Sequence, residues 1–117
     1  YKLKNFNDAL YDFSKSIGIN PNNPEPYYGR GKVKMIMNDW DTAIVDFDAT
    51  IKGSLAVQPV HWLARLRKSE CMFHAKSYAE AIPELKLFLQ RKFNESHPAF
   101  RFRPKAEFLL AECQKMV

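Results

Sequence analysis

Asp39-Trp40-Asp41-Thr42-Ala43-Ile44-Val45-Asp46-Phe47-Asp48-Ala49-Thr50-Ile51 has an earlier counterpart in the same chain, Asn5-Phe6-Asn7-Asp8-Ala9-Leu10-Tyr11-Asp12-Phe13-Ser14-Lys15-Ser16-Ile17. Ala9 and Ala43, Phe13 and Phe47, Ser16 and Thr50, and Ile17 and Ile51 are each separated by 34 residues. Ser77-Tyr78-Ala79-Glu80-Ala81-Ile82-Pro83-Glu84-Leu85-Lys86-Leu87-Phe88-Leu89 is a third copy, with Ala81 falling 38 residues after Ala43. Each copy carries an aromatic, a small residue and two large apolar residues at offsets 0, 3, 7 and 11. That spacing returns to one face of an α-helix, so the copies predict three amphipathic helices. Repetition at this period marks stacked supersecondary units, each too small to bury its apolar face alone.

A helix is expected before each later copy. Tyr27-Tyr28-Gly29-Arg30-Gly31-Lys32-Val33-Lys34-Met35-Ile36-Met37 aligns with Arg65-Leu66-Arg67-Lys68-Ser69-Glu70-Cys71-Met72-Phe73-His74-Ala75, and Glu107 to Val117 supplies a last, unpaired copy. Pro21–Pro26, Gly53–Pro59 and Asn94–Pro104 carry the turn residues that should link the pairs. Asn5, Asp39 and Ser77 share one slot and are expected to cap the helices that follow, Ser77 with Glu80 as a capping box. The units so defined are a partial repeat over 1–20, repeats over 24–53 and 60–92, and a terminal helix over 104–117. Tyr1 reads as the tail of an earlier helix.

The small residues Gly31, Ser69 and Ala111 in the first helices, the pairs Ala9/Phe13, Ala43/Phe47 and Ala81/Leu85 in the second, the Tyr27-Tyr28-Gly29-Arg30-Gly31 string and the closing Pro21 together resemble the tetratricopeptide repeat. The resemblance spans nearly the whole chain. It implies an all-α, right-handed α-solenoid of antiparallel helix-turn-helix pairs, about three repeats plus a terminal helix. Two departures stand out. Arg30 and Lys68 replace the leucine expected before the small residue, and extra residues precede the third unit and the last helix.

In that family the first helices line a concave groove that takes peptides. The resemblance places Tyr28, Lys32, Met35, Leu66, Arg67, Glu70, Phe73 and His74 in such a groove. Tyr28, Met35, Leu66 and Phe73 would be apolar anchors; Lys32 and Arg67, the two least explained by packing, would be donors to a carboxylate. The expected role is a protein-interaction scaffold for a peptide or helix with acidic and apolar side chains. Binding of a heat-shock chaperone's acidic C-terminal tail is disfavoured. Of that clamp's positions only Arg67 matches, while Gly29 and Leu63 stand where Asn and Lys are needed.

Composition sets limits on other classes. A chain of 117 residues with 46% hydrophobic and 26% charged residues is large enough for one domain, typically on the order of 100 residues, and too apolar for disorder. The longest apolar run, Phe108-Leu109-Leu110-Ala111, falls far short of a membrane span, and an intracellular, cytoplasmic protein is expected. Cys71 and His74 have the spacing of half a metal site, but no second pair completes it, so no metal and no cofactor are expected. Cys71 and Cys113 share the slot of Val33 and are expected to be buried, reduced thiols. No phosphate loop or catalytic triad is present, which argues against an enzyme. The net charge of +5 allows an alternative: single-stranded nucleic acid or an anionic surface bound through the basic loop 91–105, where Arg91, Lys92, Arg101, Arg103 and Lys105 interleave with Phe93, Phe100 and Phe102.

Overall fold

Amphipathic stripes become helices throughout the chain. In the computed structural model, which describes residues 3–117, these are α1 (Leu3–Ile19), α2 (Pro24–Ile36), α3 (Trp40–Gly53), α4 (Pro59–His74), α5 (Tyr78–Gln90) and α6 (Arg103–Met116), with a 3₁₀ turn at Phe100–Phe102. There is no strand among the described residues. The reading of Tyr1 as the tail of an earlier helix lies outside them.

Each helix packs on the next, α2 packs on α4, and α4 packs on α6, while α1, α3 and α5 make no such contact with one another. The helices therefore form two rows, with α2, α4 and α6 closer together. The hairpins α2–α3 and α4–α5 close through the same turn. Asn38 and Lys76 take φ values of 63° and 65°, the left-handed conformation that ends a helix. In the first turn Asn38 N–H donates to Met35 O and Asp39 N–H to Lys34 O, at 3.0 and 2.9 Å; in the second, Lys76 donates to Phe73 O and Ser77 to Met72 O, at 3.1 and 2.8 Å.

This turn overrides the expected caps. Asp39 and Ser77 do occupy N-cap positions, but their ψ values of 74° and 57° lie outside the extended region, and neither side chain makes a cap hydrogen bond. The Ser77–Glu80 capping box is therefore not formed. Asn5 lies inside α1 rather than ahead of it. The side-chain cap is instead at Asn23, whose ψ of 118° lets its Oδ1 accept from Glu25 N–H at 3.2 Å.

Small residues sit where helices approach closely. A Cβ on Gly31 would fall 2.7 Å from the Phe47 ring, and one on Gly29 would fall 2.5 Å from the Phe13 ring. Ala43, Phe47, Ala64 and Cys71 form one buried cluster; Leu66, Leu85, Phe88, Leu109 and Cys113 belong to a second between α4, α5 and α6. Val33, Cys71 and Cys113 are all fully buried, and both thiols are free. Burial, reinforced by the Glu70 carboxylate, pushes the Cys71 thiol up to about 12. Ala111 shares the slot of buried Gly31 and Ser69 but is exposed, because no described helix follows α6.

Charges also follow the repeat. Arg30 gives one proton to Ser14 Oγ of α1 at 3.1 Å and two to Asp46 of α3, at 2.9 and 2.7 Å. Lys68 likewise spans the helices on either side of it, Asp48 of α3 at 2.7 Å and Glu84 of α5 at 3.8 Å. Arg65 also pairs with Glu84, at 3.1 Å. Arg30 and Lys68 thus tie successive helices together.

Candidate binding surface on α2, α4 and α6

On α2, positions 28, 32, 35 and 36 recur at helical spacing and share one face. Lys32, Met35, Ile36, Trp40 and Arg67 line a depression of about 300 Å³. A second hollow, of about 450 Å³, is bounded by Phe13, Glu25, Tyr28, Gly29 and Lys32. Lys32 is common to both. Its ammonium lies 5.0 Å from the Tyr28 ring centroid, within cation–π range. Among the described residues it has no carboxylate partner.

Arg67 is placed differently from Lys32. Its Nη1 donates to Glu70 at 2.8 Å, its guanidinium lies 4.8 Å from the Phe102 ring centroid, and its Nε is buried without a partner. Burial works to lower its pKa, but the Tyr28 hydroxyl and the Glu70 carboxylate outweigh it and the net shift is upward. Glu70, only 4% exposed, also receives Lys105 of α6 at 2.9 Å. Arg67, Glu70 and Lys105 therefore form a charge cluster joining α4 to α6 under the cover of Phe102. Arg67 shows one edge to the depression while the rest is engaged internally.

The sequence-assigned residues accordingly divide. Tyr28, Lys32, Met35 and Arg67 gather around the depressions. Leu66 is fully buried and Glu70 nearly so, and neither is presented to a ligand. Phe73 is half-buried, with its ring 5.7 Å from Tyr78. His74 is exposed and stacks on Trp40 at 4.5 Å, nearly parallel. Trp40 therefore connects His74 to the depression. Sequence reasoning missed this role because Trp40 heads an apolar stripe and reads as core. Phe102 was missed for another reason: its contact with Arg67 joins positions far apart in the chain.

The other candidates resolve by geometry. Cys71 is buried in the core and His74 stacks outside it, so the two do not converge on one point. Within the basic loop, Phe93 packs on Phe88 and Trp62, at 5.2 and 5.9 Å, whereas Phe100 remains 42% exposed. No described helix is long and apolar enough to cross a membrane. No protein-family model matches the chain.

Proposed function

We propose that the chain is a tetratricopeptide-like repeat module that acts by binding another protein, taking a peptide or helix along the face formed by α2, α4 and α6. The observation that carries this reading is Lys32, a half-buried cation with no carboxylate partner among the described residues, set between an apolar depression walled by Met35, Ile36 and Trp40 and a mixed hollow that includes Phe13, Tyr28 and Glu25. A carboxylate there would accept charge-assisted hydrogen bonds from Lys32 and the open edge of Arg67. Met35, Ile36 and Trp40 would hold an apolar side chain beside it. The matching turns at Asn38 and Lys76, and the bridging cations Arg30 and Lys68, support the repeat assignment.

Selecting a displayed random-peptide library on the immobilised chain, and then titrating the best selected peptide, tests this. Selected peptides should pair an acidic residue with a large apolar one. Lys32→Glu should weaken binding by about tenfold or more, the scale of a hydrogen bond to a charged group. Arg103→Glu, outside the depression, should leave it within about twofold. If Arg103→Glu proved the more damaging change, the groove reading would fall.

A further inference from the structure

A second surface stands apart from these hollows. Residues 91–105 contain five cations and one carboxylate, Glu95, so this segment holds a net +4 of the chain's +5. Cations facing α3 and α5 have carboxylate partners there: Arg30 and Lys34 share Asp46, Arg65 and Lys68 share Glu84, and Lys68 also meets Asp48. In the 91–105 segment Lys105 is paired with Glu70, and Arg103 reaches Glu107 only at 3.8 Å, with both side chains exposed. Among the described residues Arg91, Lys92 and Arg101 have no carboxylate partner at all. Three cations without a carboxylate partner thus fall within this one short segment.

Rings are interleaved with these cations. Arg91 lies 4.9 Å from the Trp62 ring centroid and Arg101 lies 4.9 Å from that of Phe102. Lys92, Phe93, Phe100 and Arg103 line a recess of about 290 Å³, and Phe100 is its exposed ring. A recess with two cations and two phenyl rings matches a planar group carrying an adjacent negative charge.

We propose that this surface binds single-stranded nucleic acid, with one base stacked on Phe100 in the recess and neighbouring phosphates on Lys92, Arg101 and Arg103. Base–aromatic stacking needs an exposed π-face and a strand whose bases are free, which a duplex does not offer. A bilayer is engaged by an apolar face that projects into it, whereas here the rings line a hollow about the size of a small ligand site. The surface is separate from the α2–α4 depressions, so it stands or falls independently of the peptide groove.

Fluorescence anisotropy with a labelled oligo(dT) of about 15 nucleotides, the upper range of single-module site sizes, is the direct measurement. Binding is expected, with a log–log salt slope of about −2, as for three phosphate contacts on a single strand. Phe100→Ala should weaken it about fivefold or more, the scale of one stacked base. Lys92→Glu combined with Arg101→Glu should abolish it, and Lys32→Glu should leave it unchanged. Circular dichroism melting establishes that each variant is folded, and Phe100→Tyr, which keeps the ring, should restore affinity. The proposal is overturned if the oligonucleotide does not bind at low salt. It is equally overturned if a duplex of the same length, heparin or phosphatidylserine vesicles bind as tightly and Phe100→Ala has no effect, which would leave only a charged patch.

Discussion

Arg30 and Asp46 form a two-pronged ion pair, with Nε and Nη2 of the guanidinium donating to the two carboxylate oxygens at 2.9 and 2.7 Å. Asp46 is 1% exposed and takes a further contact from Lys34 at 3.0 Å. A buried carboxylate with two cationic partners is stable only while both charges are matched. Asp46→Ala leaves Arg30 and Lys34 facing each other across the α2–α3 interface and should cost about 3–5 kcal/mol, read from the denaturation midpoint. Wild-type stability in that variant would show the pair to be dispensable.

Arg67 gives a second test of buried charge. Arg67→Glu sets a carboxylate against Glu70 and removes the cation from the Phe102 ring, so the α4–α6 junction should loosen. About 3 kcal/mol of stability should be lost, with the melting transition falling accordingly. Lys32→Glu, on the open wall of the depression, should melt within a degree or two of the wild type. Similar losses from both would contradict the internal placement of Arg67.

The two hairpin turns differ at the left-handed residue, Asn38 in one and Lys76 in the other. Asn tolerates that conformation better than a long unbranched side chain does. Lys76→Asn should therefore stabilise the chain by about 0.5–1 kcal/mol, and Asn38→Ala should destabilise it by a similar amount. Urea titration of both variants checks the signs; a destabilised Lys76→Asn would show that the Lys76 side chain makes a contribution elsewhere.

His61 sets a pH dependence. Its Nε2 accepts from Arg65 Nε at 3.1 Å and its Nδ1 lies 3.0 Å from Ser54 Oγ. Burial first, then the Arg65 charge, lowers its pKa below 6.5. The unfolded chain therefore takes up the proton before the folded one. Stability due to this group is fully present above about pH 6.5 and is lost as pH falls through the lower folded value. His97 shifts in the same direction, through burial and Arg91, so the His61 share is the difference between wild type and His61→Asn. That difference should shrink as pH falls from 7 to 5; a constant difference would show His61 titrating normally.

How far the fold could be read from the chain depends on how local each determinant is. The stripes Phe6/Ala9/Phe13 and Trp40/Ala43/Phe47 fix helices through spacing alone, and the shared slot of Val33, Cys71 and Cys113 correctly marked buried positions. Asp39 and Ser77 hold the N-cap positions expected of them, but their ψ values leave the side chains without a cap hydrogen bond, which residue type does not reveal. Leu66 and Glu70 were read as groove residues because their slots face outward in a regular array. Here the 91–102 segment folds back, and Phe102 lies against Arg67 at 4.8 Å. Such a contact depends on tertiary closure of a long link, on which helical periodicity is silent. The pairing of Asp46 with Arg30 was accessible in principle, since Asp46 and Glu84 recur 38 residues apart, as do Arg30 and Lys68.

The glycines of α2 make this helix dependent on its neighbours. Gly29 and Gly31 meet the Phe13 and Phe47 rings, in a helix of 13 residues that also contains Pro24 and Pro26. Each glycine costs about 1 kcal/mol of helicity relative to alanine, and a helix this short is marginal in water even with good formers. This segment therefore lacks the means to become helical alone and winds up only between the aromatic faces of its two neighbours. Its helicity is thus tied to packing against α1 and α3. Lys32 rides on this least self-sufficient helix, so the element that would meet a partner is also the one whose winding a partner can most readily influence.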